Sequence, residues 1–134
     1  MLVLMSSNRS AQRSASTPLH NNKIGDSGAV SFGASLRVNV SLQSLDLAYN
    51  QIGDPSAIAL GIALAVNSTL KIIELEYNSI GDAGAMALGE ALCSNSALTK
   101  LVIRGNNIGA LGEEWIGKAQ RENSRLEPIV VSST

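Results

Sequence analysis

The sequence is short of several things, and each shortage excludes something. It holds one cysteine, Cys93, so no disulfide framework can staple it. It holds one histidine, His20, on which any Ser-His-Asp or Cys-His arrangement would have to be built. Aromatic residues make up only 3% of the 134 positions, so a core has to be assembled from Leu, Ile, Val and Ala. Charge of one sign is missing too. Ten Lys and Arg face eleven Asp and Glu, a net of −1, and a nucleic-acid binder working through phosphate contacts would be more basic. The longest apolar run, Ala57 to Val66, is ten residues with a glycine inside it, about half of a membrane span. No CxxC, HExxH or EF-hand pattern occurs, so neither a metal site nor a cofactor is expected. What is present is a 45% hydrophobic content, too high for a disordered chain.

The chain opens with MLVLM, a run too short for a signal-peptide core and preceded by no basic stretch. With a single thiol, that points to a reducing, cytoplasmic setting. Residues 1–16 read as a mobile, Ser-rich arm carrying Arg9 and Arg13. Three N-x-Ser/Thr sequons, at Asn8, Asn39 and Asn67, read as coincidence in an Asn- and Ser-rich chain.

Self-similarity decides the architecture. Three blocks of 28 residues follow one another without a gap over 41–68, 69–96 and 97–124. A degenerate block precedes them over 13–40, and a partial one, 125–134, follows with Leu126, Ile129 and Val131 on the repeat's apolar positions. The shared pattern is LxxLxLxxNxIGxxG and then an apolar, Ala-rich stretch. The apolar triplets are Leu42/Leu45/Leu47, Leu70/Ile73/Leu75 and Leu98/Leu101/Ile103. Their last two members are spaced by two, which puts both on one face of a strand. The Ala-rich stretch that holds Met86, Leu88 and Leu92 has helical spacing and helical composition. The acidic residues of Gly25-Asp26, Gly53-Asp54 and Gly81-Asp82 suit a helix entry, where a carboxylate accepts backbone N–H groups. Each unit is therefore a strand, a turn and a helix.

Such a unit cannot bury its apolar face alone. Stacking joins the strands into a parallel sheet and lays each helix beside the next. The expected fold is α/β: a short solenoid over residues 17–134, with the sheet on its concave face and the helices on its convex face. Small Ala and Gly residues let the helices approach closely, and a core so narrow has little room for rings. Asn22, Asn50, Asn78 and Asn106 recur at 28-residue spacing just after the strands. Their amides are expected to form a ladder that satisfies backbone left unpaired at the strand ends.

Some blocks depart from the pattern. Ser14 and Thr17 stand where other blocks have Leu, and Pro18 falls inside the strand, so a strand there is absent or sits at an edge. The first well-formed strand is expected near Leu45. In the fourth block Glu113, Glu114, Lys118 and Gln120 replace much of the apolar pattern and Trp115 is new, as in a terminal helix with one wet face. Cys93 aligns with Ala65 and reads as a small packing residue.

The repeated pattern resembles leucine-rich repeats over about residues 17–131. The 28-residue length, the IGDxG turn and the Ala-rich helix are similar to the ribonuclease-inhibitor-like subclass, NOD-like receptor C-terminal repeats and Ran GTPase-activating protein repeats among them. The chain contains no GxxxxGK[ST] nucleotide-binding motif, so likeness to those receptors extends to their repeat part alone.

In such a stack the residues between the apolar triplet positions line the concave face, and residues 28 apart become neighbours. The expected face includes Asp46, Ala48, Tyr49, Ile72, Glu74, Glu76, Tyr77, Lys100, Val102 and Arg104. Residues 41–96 carry a net −5, while residues 1–40 sum to +3 and residues 97–134 to +1. An acidic patch with two tyrosines suits a protein partner with a basic surface, the rings serving as anchors. Glu76 and Arg104 are expected to pair across strands. The reading is a non-catalytic protein-protein interaction module, a sensor or regulatory segment of a larger receptor-like protein. Two readings compete with it. One is a Ran-type GTPase-activating regulator or a fragment of one. The other is an isolated repeat segment without a function of its own, self-associating through uncapped ends.

Overall fold

The computed structural model describes residues 16–18 and 25–131. Among them strands and helices alternate in strict order. The strands are β1 (Ser16–Pro18), β2 (Ser44–Asp46), β3 (Ile72–Glu74) and β4 (Lys100–Val102). The helices are α1 (Asp26–Val38), α2 (Asp54–Val66), α3 (Asp82–Ser94) and α4 (Ala110–Glu122). The strands form one parallel sheet in the order β1-β2-β3-β4. Its register steps by 28 residues throughout: Thr17 lies opposite Leu45, Leu45 opposite Ile73, and Ile73 opposite Leu101. Backbone bonds carry the pairing beyond the three-residue strands, with Leu47 N–H donating to Glu74 O (2.8 Å) and Tyr49 N–H to Glu76 O (3.0 Å).

β1 corrects one expectation. The degenerate first block does pair, so the first strand precedes Leu45 and its first residue, Ser16, falls in the stretch read as an arm. Pro18 is accommodated because β1 is the terminal strand of the sheet order, where a missing N–H does not interrupt an internal ladder. The rest of the arm, and Asn22, lie outside the described residues.

The core is a column of aliphatic layers. Every member of the three apolar triplets is buried, as are Leu36, Leu60, Leu64, Leu88 and Leu92 from the helices. Ala29, Ala57 and Ala85 bring each helix close to its neighbour. Phe32 is the single buried ring among the described residues. Ile58 of α2 stands on the outer surface at 39% exposure. At the C-terminal end Leu126 is buried, and Ile129 and Val131 pack against the core. Gln120 holds that segment, accepting from Ile129 N–H (2.9 Å) and donating to Glu127 O (3.2 Å). The wet terminal helix expected here is α4, which exposes Glu113, Glu114, Arg121 and Glu122 and carries Lys118 above the half-buried Trp115 ring at 4.8 Å.

Three stacked polar ladders satisfy the backbone that the short elements leave open. In the first, Asn78 Oδ1 accepts from Asn50 N–H (3.0 Å) and Ile52 N–H (3.1 Å), while its Nδ2 donates to Leu47 O and Leu75 O (3.0 Å each). Asn106 repeats the arrangement against Ile80 N–H, Leu75 O and Ile103 O. This is the asparagine ladder expected from Asn50, Asn78 and Asn106.

The second ladder stands at the helix C-termini and was not foreseen. Asn39, Asn67, Asn95 and Asn123 are all buried. Asn67 Nδ2 donates to Leu36 O (2.8 Å) and Asn39 O (3.2 Å), and Asn95 and Asn123 do the same one and two repeats on. Two of the sequon asparagines, Asn39 and Asn67, therefore belong to the interior.

The third ladder corrects the reading of the acidic turn residues. Each helix has a glycine at its N-cap, which offers no side chain. The aspartates cap the next repeat's helix rather than their own. Asp54 Oδ1 accepts from Gly81 N–H and Gly84 N–H at 2.8 Å each, and Asp82 Oδ1 from Gly109 N–H (2.7 Å) and Gly112 N–H (2.9 Å). At 2.8 Å the approach leaves no room for a side chain on Gly84, whose Cβ would stand 2.7 Å from Asp54 Oδ1. Where the second block has Ser56 instead, its hydroxyl donates to Asp26 Oδ1. That hydroxyl, with the Gly53 and Ser56 N–H groups, holds the Asp26 carboxyl below its ordinary pKa against the opposing effect of burial.

Candidate functional site

The strand face opposite the helices gathers the residues expected there, in the register their spacing implies. Asp46, Glu74 and Val102 lie side by side, as do Ser44, Ile72 and Lys100. Lys100 and Arg104 are exposed, while Asp46, Ile72, Glu74, Glu76, Tyr77 and Val102 are half-buried. Ala48, expected to face outward, is buried at 4% exposure because the chain has begun to turn toward the core at Asn50. Asp46 supports that turn by accepting from Ala48 N–H (3.1 Å).

Tyr49 and Tyr77 occupy the last position before the asparagine ladder, and both have φ of +57°. The fourth repeat has Gly105 at this position, with φ of +76°. Left-handed backbone disfavours a side chain by about 1–2 kcal/mol per residue. Two repeats accept that penalty and place a ring there. The rings stack, with centroids 4.7 Å apart and planes 14° from parallel. Gly105 completes the row, since a Cβ there would stand 2.5 Å from the Tyr77 ring. Tyr49 is 52% exposed, so its ring presents a face to solvent.

The expected pair between Glu76 and Arg104 does not form. The Arg104 guanidinium lies over the Tyr77 ring instead, 5.6 Å from its centroid. Glu76 Oε1 is shut away from water with no hydrogen-bond partner, and a buried carboxylate oxygen left so is costly. A groove runs beside it, walled by Val102 and Lys100 of β4 on one side and by Pro128 and Val130 on the other. The site thus offers a ring stack, a strip with Asp46 beside Glu74, and two exposed cations.

Elsewhere, no group of His, Cys, Asp and Glu able to hold a metal ion occurs among the described residues. Cys93 is half-buried against the core. Burial, reinforced by the negative charge of Glu122, pushes its thiol pKa up. No helix among the described residues is long and apolar enough to cross a membrane.

The Leucine Rich repeat family profile matches residues 19–33, 38–61, 66–89 and 94–112, one segment in each repeat. The chain belongs to the leucine-rich repeat family. No curated protein sequence matches it. Among solved structures, this leucine-rich repeat chain is similar to leiomodin-1 actin-binding site 2, with a TM-score of 0.83 and 26% identity over 98% of this chain and 76% of that one. It also shares the fold of the Caenorhabditis elegans tropomodulin C-terminal domain, with a TM-score of 0.82 and 15% identity over 98% of this chain and 80% of that one.

Two features of the repeat escaped the sequence reading. The left-handed backbone at Tyr49 and Tyr77 was signalled by the glycine aligned with them in the fourth repeat. The second asparagine ladder was signalled by the 28-residue spacing of Asn39, Asn67, Asn95 and Asn123.

Proposed function

We propose that this leucine-rich repeat chain is a non-catalytic protein-interaction module whose concave face docks a protein partner carrying basic groups. The observation that carries the reading is the pair of stacked tyrosines on left-handed backbone. Glycine fits that conformation at less cost and stands there in the fourth repeat, so the rings are retained for what they contact. Tyr49, Tyr77 and Arg104 are the residue types that dominate binding energy at interfaces. Asp46 and Glu74, side by side on adjacent strands, give the face an acidic strip for such a partner.

The leiomodin-1 likeness supplies the first partner to try, because that structure is an actin-binding site. The 28-residue strand-helix unit also supports membership of the ribonuclease-inhibitor-like subclass. The module would then act by rigid presentation of a preformed surface, as a sensor or regulatory segment of a larger protein. The test is capture of purified actin by the immobilised chain and by a variant carrying Asp46→Lys, Glu74→Lys and Glu76→Lys. Binding by the native chain and loss of it in the charge-reversed variant is the expected result. Equal capture by both would remove the concave face from the reading.

A further inference from the structure

The convex side carries a second surface that this reading does not use. Among the exposed residues of α2 none is polar: Pro55, Ile58, Ile62, Ala65 and Val66. Ile62 is 55% and Val66 61% exposed. The Ile58–Ile62–Ala65 spacing makes a ridge along the helix. A groove flanks it on each side. Toward α1 the groove is lined by Val30, Gly33, Ala34 and Ala59, and Arg37 stands in its wall. Toward α3 it is lined by Gly61, Ala87 and Ala91, and Glu90 stands in its wall. Arg37 and Glu90 are both exposed.

We propose that this face binds a second copy of the chain, in a dimer whose twofold axis runs along α2. A ridge between two grooves is the shape that a copy of itself can fill, side by side and offset. The charges decide the arrangement. With the axis along α2, the two α2 helices run parallel and α1 of one copy faces α3 of the other. Arg37 of each copy then meets Glu90 of the other, and symmetry makes the contact twice. In repeat register Arg37 aligns with Cys93, three residues beyond Glu90. The two therefore differ in height by less than one helical turn, about 4.5 Å. Helices need about twice the spacing of strands, so the stack curves away on this side and the flanks of two such faces diverge. Arg and Glu are the side chains long enough to reach across. An antiparallel arrangement would set Arg37 near Arg37 and Glu90 near Glu90 and is disfavoured by charge.

Sedimentation equilibrium of the full chain from about 10 μM to about 1 mM, the range of a small interface, tests this. The native chain is expected to pass from monomer toward dimer, and Ile62→Glu to stay monomeric throughout. Arg37→Glu or Glu90→Arg alone is expected to weaken association about tenfold, and the double variant to return to within about threefold of native. These two positions are exposed, so the charge-swap series stands even if Ile62→Glu disturbs folding, which far-ultraviolet circular dichroism checks. Four results would overturn the proposal: a native chain monomeric throughout, assemblies larger than a dimer, association unaffected by Ile62→Glu in a folded chain, or a double variant as weak as the single ones.

Discussion

At the scale of single residues, the chain is governed by side chains that reach into the neighbouring repeat. Asn78 is the fullest case. It satisfies two N–H groups and two carbonyls of two repeats from a buried position. Asn78→Ala removes those bonds and leaves the groups with no water to turn to, so a loss of about 3 kcal/mol is expected by urea unfolding. Tyr49→Gly is expected to behave in the opposite way. The substitution relieves about 1–2 kcal/mol of left-handed strain and forfeits about 0.5–1.5 kcal/mol of ring stacking. Stability should therefore change little while the exposed ring proposed as an anchor is removed. The sequon asparagines make a third residue-scale test. Asn67 spends both Nδ2 hydrogens inside the fold, so the folded chain presented to a glycosylating extract should keep its mass at that position.

The sequence was most legible where a residue serves its own layer. The Leu and Ile triplets, the 28-residue register and the ladder of Asn50, Asn78 and Asn106 follow from spacing alone. It was less legible where one residue serves another repeat. Asp54 sits beside the N-cap of α2 yet caps α3, and only stacking reveals that acceptance. Arg104 sits beside Glu76 in register, yet its guanidinium lies over the Tyr77 ring. A planar cation has both options, and the choice depends on where the ring lies.

At the scale of elements, α2, α3 and α4 are each capped by an aspartate of the repeat before, so their stability and repeat stacking are one property. Gly84→Ala tests this coupling. The added methyl meets Asp54 Oδ1 at 2.7 Å and the Ala57 Cβ at 2.8 Å. It should displace the cap of α3 and separate α2 from α3, at a cost of about 2–3 kcal/mol in a chemical denaturation series. The Asp26 cap adds a dependence on pH. Its carboxyl is held below the ordinary value, chiefly by the Ser56 hydroxyl. The contribution is complete above the ordinary carboxylate range and is lost as pH falls through the lowered value. Acid titration should therefore destabilise the native chain, and Asp26→Asn should flatten that part of the profile.

At the scale of the whole molecule, the chain is a row of layers that touch only their neighbours. Low aromatic content is a property of such a row, since a strand-helix layer is filled by Leu, Ile and Ala. Charge follows the same logic. A balanced total conceals a middle of −5 between positive ends, and that middle contributes Asp46, Glu74 and Glu76 to the concave face. The central claim is that the tyrosine stack on that face is an interaction anchor. The most direct measurement is a titration of actin against the native chain and against Tyr49→Gly/Tyr77→Gly, with unfolding of both followed in parallel. The account predicts saturable binding by the native chain, at least about tenfold weaker in the variant, with stability altered by no more than about 2 kcal/mol. Equal affinity of the two chains, or no binding by either, would contradict it.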